Sequence, residues 1–503
     1  MTRLRAPAPP PGVVEGRTGP RLDQPASYSL TERMLDTALR HADLNPMITV
    51  DAEESLRAAW QADRAWPGDG PLRGIPMVIN DNIHVAGMPN TAGTPALANF
   101  VPPEDAPVVS SLRGAGAFVL GKSNMHELSV GVTGGESMAG AVHNARDSHR
   151  LAGGSSAGAA VMVALGIPAA LGVDFCGSAR IPAALNGVCA LRPSAGRYSM
   201  EAITPLSSSR GTVAPMAATV ADLAVLDSVL AGELSGISDS ANFSDTLDAD
   251  TLGTLGSATT PRLGVPVTYR SAHCDRATLE CFEKAVDRLR SKGVVVVEVA
   301  TFPLEGVERR IGIPILAYEF RRELIRYLRT YLPSLTLTEL AGRITGTGVR
   351  QFFQRHILSR PVGAITHENY DAALAAGRAE LLGYYRNVFR THQLDALVYP
   401  TVPRQPSQLE LRTAPAPGAR GESLLEASPT DLPELAEEMP TVNAHAAEVF
   451  TRHTAPGSIV GLPGLTLPVP TGDGPAVGLG LDGPPGGDRA LLALGRRLER
   501  LLR

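Results

Sequence analysis

Gly172-Val-Asp174-Phe-Cys-Gly-Ser178-Ala-Arg180-Ile-Pro-Ala-Ala184 is the stretch on which the reading of this chain turns. Its first residues close a short buried strand, Ala169–Asp174, and a tight turn of small residues then delivers a serine. Such a turn leaves several backbone N–H groups aimed at one spot beside Ser178, a geometry suited to stabilising an oxyanion. Upstream, Gly153-Gly-Ser155-Ser156-Ala-Gly158 reads as a flexible loop that presents Ser155 and Ser156 ahead of an apolar helix. A second hydroxyl placed there can relay a proton to or from the first. A third segment, Gly74-Ile-Pro-Met-Val-Ile-Asn80-Asp-Asn-Ile83, runs from a strand into a polar end.

Working outward, short buried strands over Ile75–Ile79, Ala117–Gly121 and Ala169–Asp174 alternate with helical segments. An amphipathic helix is predicted over 29–42, with Met34, Leu35, Ala38 and Leu39 on its apolar face. A strand at Met47–Val50 and a helix over 51–63 follow. Further on, Arg262–Val267 and Val294–Val299 flank a helix that Asp275 caps and Gly293 stops, with Phe282, Val286 and Leu289 on its buried face. Residues 308–393 read as mostly helical, and strands at Gly464–Pro468 and Val477–Leu481 precede a last helix over 488–502. The alternation predicts an α/β fold, a large mixed and mostly parallel central sheet covered by helices in one domain over 29–503. Residues 1–28 read as a flexible tail, and 232–260 and 402–432 as loop insertions.

Composition narrows the function. Of 503 residues, 44% are hydrophobic and 19% charged, as expected of a globular chain. The net charge of −5 provides no basic field for nucleic acid. Arginine outnumbers lysine 43 to 3, so a mechanism that needs a lysine can draw only on Lys122, Lys284 or Lys292. Four cysteines without a C-x-x-C pair make neither a disulfide framework nor a thiolate zinc site, and no metal or cofactor is expected. Met1–Pro20 lacks the apolar core of a signal peptide, which points to the cytoplasm. The 23 uncharged residues from Leu151 to Val173 are long enough to cross a bilayer, but their glycines and Pro168 fit a loop, a buried helix and a strand instead.

Two familiar patterns fail on context. Gly116-Ala-Phe-Val-Leu-Gly121-Lys122-Ser123 matches a phosphate-binding loop, yet its middle is a strand sequence. Gly154-Ser-Ser156-Ala-Gly158 matches a nucleophile elbow, yet the preceding His143–Arg150 is too polar to be the central strand that elbow requires.

Taken together, the three segments resemble the amidase signature family, serine hydrolases that use a Ser–cis-Ser–Lys triad. Ala86-Gly-Met-Pro-Asn-Thr-Ala-Gly93, Leu120-Gly-Lys-Ser-Asn-Met-His-Glu127 and Leu481-Asp-Gly-Pro-Pro-Gly-Gly-Asp488 extend the resemblance over about residues 29–503. Arg180–Tyr198 and the C-terminal end are similar to the mandelamide and indoleacetamide hydrolase branch. The resemblance implies Ser178 as the acyl-forming nucleophile and Ser155 as the cis-serine. It places the backbone of Phe175, Cys176, Gly177 and Ser178 at the oxyanion hole, with Ser156, Asp174 and Arg180 in support. A small-molecule amide or acyl substrate and a homodimer are in keeping with it.

The match breaks at one position. Where the family carries its catalytic lysine, this chain has Asn80, which hydrogen-bonds but cannot take up a proton. Lys122 lies in a segment where the family has a separate lysine and is not expected to reach Ser155. Cys176 stands in place of a glycine, Ala157 in place of another, and Phe175 in place of a small polar residue, where it would narrow the pocket or stack on a substrate. The expectation is therefore an amidase-fold enzyme acting through Ser178 with altered or weakened chemistry: acyl transfer, ester or lactone chemistry, or cyclisation. Conventional carbon–nitrogen amide hydrolysis and a non-catalytic binding or scaffold role are the alternatives. A thiolate at Cys176 and a catalytic imidazole at His84 or His126 are minor ones.

Overall fold

The computed structural model describes residues 26–64, 70–233, 260–270, 274–300, 306–358, 365–405, 448–472 and 474–503. Most of the tail and of the two loop insertions read from the sequence thus lies outside the described residues. Eleven strands form one sheet: β1 (Met47–Val50), β2 (Pro76–Asn80), β3 (Phe118–Ser123), β4 (Ala169–Asp174), β5 (Cys189–Arg192), β6 (Thr212–Ala217), β7 (Arg262–Pro266), β8 (Val295–Val299), β9 (Ala396–Pro400), β10 (Gly464–Val469) and β11 (Val477–Asp482). Their order is β1-β3-β2-β4-β6-β5-β10-β11-β9-β7-β8.

The sheet is mixed, and parallel pairing is confined to its two flanks. On one side β2 pairs in parallel with β3 and β4; on the other β7 pairs in parallel with β8 and β9. The centre, β4-β6-β5-β10-β11-β9, is antiparallel throughout. The mostly parallel sheet expected from the sequence is corrected here. The strands that make the difference include β5, β6 and β9, short apolar runs whose periodicity does not announce them.

Alternation along the strands separates two cores. Met77, Ile79, Val119, Leu171 and Val173 face one layer of helices. Val78, Leu120, Ala170, Ala214 and Met216 face the other, where they pack on Ala159, Ala160 and Met162 of the helix Ala157–Ala164. That helix is apolar on every side because it is enclosed from Ala157 to Val163. The β7–helix–β8 unit forms as read: Asp275 accepts a hydrogen bond from the Thr278 N–H at 2.7 Å and caps the helix Arg276–Ser291, and Gly293 stops the chain at φ +89°. Residues 118–123 are a buried strand, so the phosphate-loop pattern has no loop to wrap a phosphate. Among the described residues no helix is long and apolar enough to cross a membrane.

Candidate active site

The serine loop leads into the enclosed helix. The Gly154–Ser155 peptide bond is cis, although no proline follows it. Ser155 is held from outside by the His126 N–H, which donates to its carbonyl at 3.0 Å. Ser156 ties the loop to the strand and turn beneath. Its hydroxyl donates to the Val173 carbonyl and accepts from the Val173 N–H, both at 3.2 Å, and its N–H donates to the Ser178 carbonyl at 3.0 Å. Gly172 must be glycine here, because a Cβ would run into the Ser156 side chain. Ser155 and Ser178 are both buried, and the Ser155 hydroxyl has no hydrogen-bond partner among the described residues.

Asp174 organises the turn. Its carboxylate accepts from the N–H of Gly177 at 2.7 Å and from those of Ala179 and Arg180 at 3.4 Å. Arg180 grips it through Nε at 3.0 Å and Nη2 at 3.2 Å, and Arg192 Nε stands 3.6 Å away. Burial alone would push this carboxyl up, but Arg180, Arg192 and the turn hold it below its usual range. Thr454 fixes the other end of the Cys176–Gly177 peptide by donating its hydroxyl to the Cys176 carbonyl at 2.5 Å. The Gly177 N–H is thus used inside the turn. Removing the anion should be costly: Asp174→Ala is expected to lower stability by roughly 3–5 kcal/mol, measured by urea unfolding, because two buried guanidiniums lose their shared partner.

Asn80 ends β2 on the sheet face that the serine-loop helix covers. Its Nδ2 donates to Asn82 Oδ1 at 2.8 Å, and its Oδ1 accepts from the Ser123 hydroxyl at 3.3 Å. Lys122 pairs in register with Ile79, one residue out of phase with Asn80, so its side chain leaves from the opposite face. It is fully buried, donates to the Pro89 carbonyl at 3.2 Å and Asn90 Oδ1 at 3.3 Å, and faces Asp81 at 3.4 Å. Burial pushes the lysine down and its aspartate up.

The Amidase family profile matches residues 29–492. The chain belongs to the amidase family. It is 33% identical to the mandelamide hydrolase of Pseudomonas putida over 493 residues, covering 95% of this chain and 88% of that one. It is 32% identical to an indoleacetamide hydrolase of Agrobacterium vitis, covering 91% and 90%. A crystal structure described as an amidase superposes with a TM-score of 0.75 at 32% identity, over 95% of this chain and 96% of that one. The peptide amidase of Stenotrophomonas maltophilia gives 0.71 at 27%, over 95% and 94%.

Several side chains of this amidase take places other than those the sequence suggested. Phe175 is fully buried and packs on Gly211. Burial pushes the Cys176 thiol up to about 12, with the Arg210 guanidinium opposing. His84 bonds Tyr327 at 2.7 Å within a cage that includes Phe100 and Tyr331, and burial pulls it down to about 4. His126 turns its Nε2 toward Glu136 at 3.6 Å, and its hydrogen-bond contribution to the serine loop is its backbone.

Sequence reading missed the residues that dock the helical insertion of the amidase on this loop. Glu127 accepts from the Gly346 N–H at 2.6 Å and from Thr345, and Glu136 accepts from the N–H groups of Gly348 and Val349. Glu127 sits inside a family-like motif, but nothing in that motif names a partner more than 200 residues away.

Proposed function

We propose that this amidase hydrolyses the carbon–nitrogen bond of a small carboxamide whose acyl group is apolar or aromatic. Ser178 Oγ attacks the carbonyl carbon, its proton passes to the Ser155 hydroxyl, and the relay protonates the departing nitrogen. Ammonia or an amine leaves, and an ester to Ser178 remains. Water then cleaves that ester, releasing the acid and restoring the serine. Backbone donors of the turn receive the oxyanion; the Gly177 N–H is already committed to Asp174. The observation that carries this reading is the Ser156 N–H bond to the Ser178 carbonyl, which locks the cis-serine loop onto the turn. Mandelamide and indoleacetamide, the compounds in the relatives' names, are both carboxamides bearing an aromatic ring. The apolar cluster of Val132, Ile181, Leu185 and Phe450 against Cys176 offers a matching wall beside the turn.

A second reading has one observation in its favour. The Ser155 hydroxyl lacks a hydrogen-bond partner among the described residues, and Asn80, in the position that the family resemblance gives to lysine, cannot accept its proton. On that reading an activated ester, with its better leaving group, is turned over in preference to an amide. Assaying matched aryl amides and aryl esters decides between them. Release of ammonia from primary aryl amides at ordinary enzyme rates supports the first reading. Turnover confined to esters supports the second, and turnover of neither removes both.

A further inference from the structure

The turn that carries Ser178 is tied through Arg180 to a second buried carboxylate. Arg180 spends Nε and Nη2 on Asp174, and Nη2 also reaches the Ser458 hydroxyl at 2.8 Å and the Thr454 carbonyl at 3.3 Å. Its remaining nitrogen, Nη1, faces Asp482 Oδ1 at 3.6 Å. Asp482 is the last residue of β11, almost completely buried. Tyr399 donates its hydroxyl to Oδ1 at 2.7 Å, while Oδ2 has no hydrogen-bond partner among the described residues. Gly457 and Gly464 are glycines where a Cβ would press on this carboxylate. Space is thus kept for a charged group that the local hydrogen bonds only half satisfy.

We propose that Asp482 is a positioning residue for acylation: in its carboxylate form it holds Arg180, and through Arg180 and Asp174 it holds the peptides around Ser178. This rests on the acylation of Ser178 proposed above. The ionisable groups facing Asp482 are Arg180, Arg192, Asp174, Tyr399, Tyr269 and Tyr385. His453 stacks on Tyr269 but gives its Nδ1 to the Pro400 carbonyl. Among these the two arginines and Asp174 are charged at neutral pH, so ionised Asp482 balances two cations with two anions. Burial raises its carboxyl to about 6, with Arg180 opposing. Below that pH the cluster gains a positive charge, Nη1 loses its anion, and the turn slackens.

The test is the pH dependence of fluorophosphonate labelling at Ser178, read by peptide mass spectrometry, on the full chain. The wild type is expected to label on a sigmoid with its midpoint near pH 6, falling at least about tenfold on the acid side, a smaller loss than the 10²–10³ of deleting an oxyanion donor. Asp482→Asn keeps the Tyr399 hydrogen bond but not the charge, so it is expected to label at the wild type's acid-side rate and without that inflection. Tyr399→Phe removes a bond that favours the charged form and is expected to move the midpoint upward; it carries the test if Asp482→Asn fails to fold. Labelling whose inflection is absent from the wild type, or unmoved in the variants, would overturn the inference alone. No labelling of Ser178 at any pH would overturn the acylation reading as well.

Discussion

On the ester-preferring reading, replacing Asn80 with lysine is expected to raise amide hydrolysis by about 10²–10⁴-fold, the usual worth of a positioned general base, whereas on the amide-hydrolase reading the rate changes little. Asn80 ends β2 on the face toward the serine-loop helix, and among the described residues the Ser155 hydroxyl has no bonded partner to take its proton. A lysine introduced at this fully buried position would have a depressed pKa, which is what a base working near neutrality needs. Aryl esters should gain less, because their leaving groups demand less proton transfer. The comparison is kcat/KM on one matched amide and ester, wild type against variant. Equal amide rates would mean that Ser155 is served by another group.

Ser178→Ala is expected to reduce turnover of every acyl substrate by at least about 10³-fold, as loss of a nucleophile does in other serine hydrolases. Ser155→Ala should approach the same floor, and the double variant should fall little below Ser178→Ala, since residues that act as one relay lose their effect together. Ser156→Ala is different in kind. Its hydroxyl is bound to Val173 rather than offered to a substrate, so its effect should appear mainly as lowered stability. Steady-state rates and urea midpoints for the four variants separate these roles. An additive double variant would remove the relay.

The residues that make the turn were legible because their constraints are local. Gly172, Asp174, Gly177 and Ser178 sit within seven positions, and small residues in a strand-to-turn stretch have few other uses. The β7–helix–β8 unit was legible for the same reason, through its cap, its apolar period and its terminating glycine. The antiparallel centre was not, because pairing such as Cys189 with Ala217 or Leu465 with Leu191 is settled by packing across the whole sheet. Nor were the partners that hold the site. Thr454 lies 278 residues from Cys176, and Asp482, though quoted as part of a C-terminal motif, meets Arg180 only through the fold. Phe175 packs on Gly211, a neighbour 36 positions along the chain that the sequence around the nucleophile does not name.

The claim beneath all of this is that Ser178 forms the acyl-enzyme, and peptide mapping after reaction with a fluorophosphonate tests it most directly. The account predicts one adduct, on Ser178, present in the wild type and in Asn80→Lys and absent from Ser178→Ala. An adduct on another serine, or equal labelling of Ser178→Ala, would contradict it.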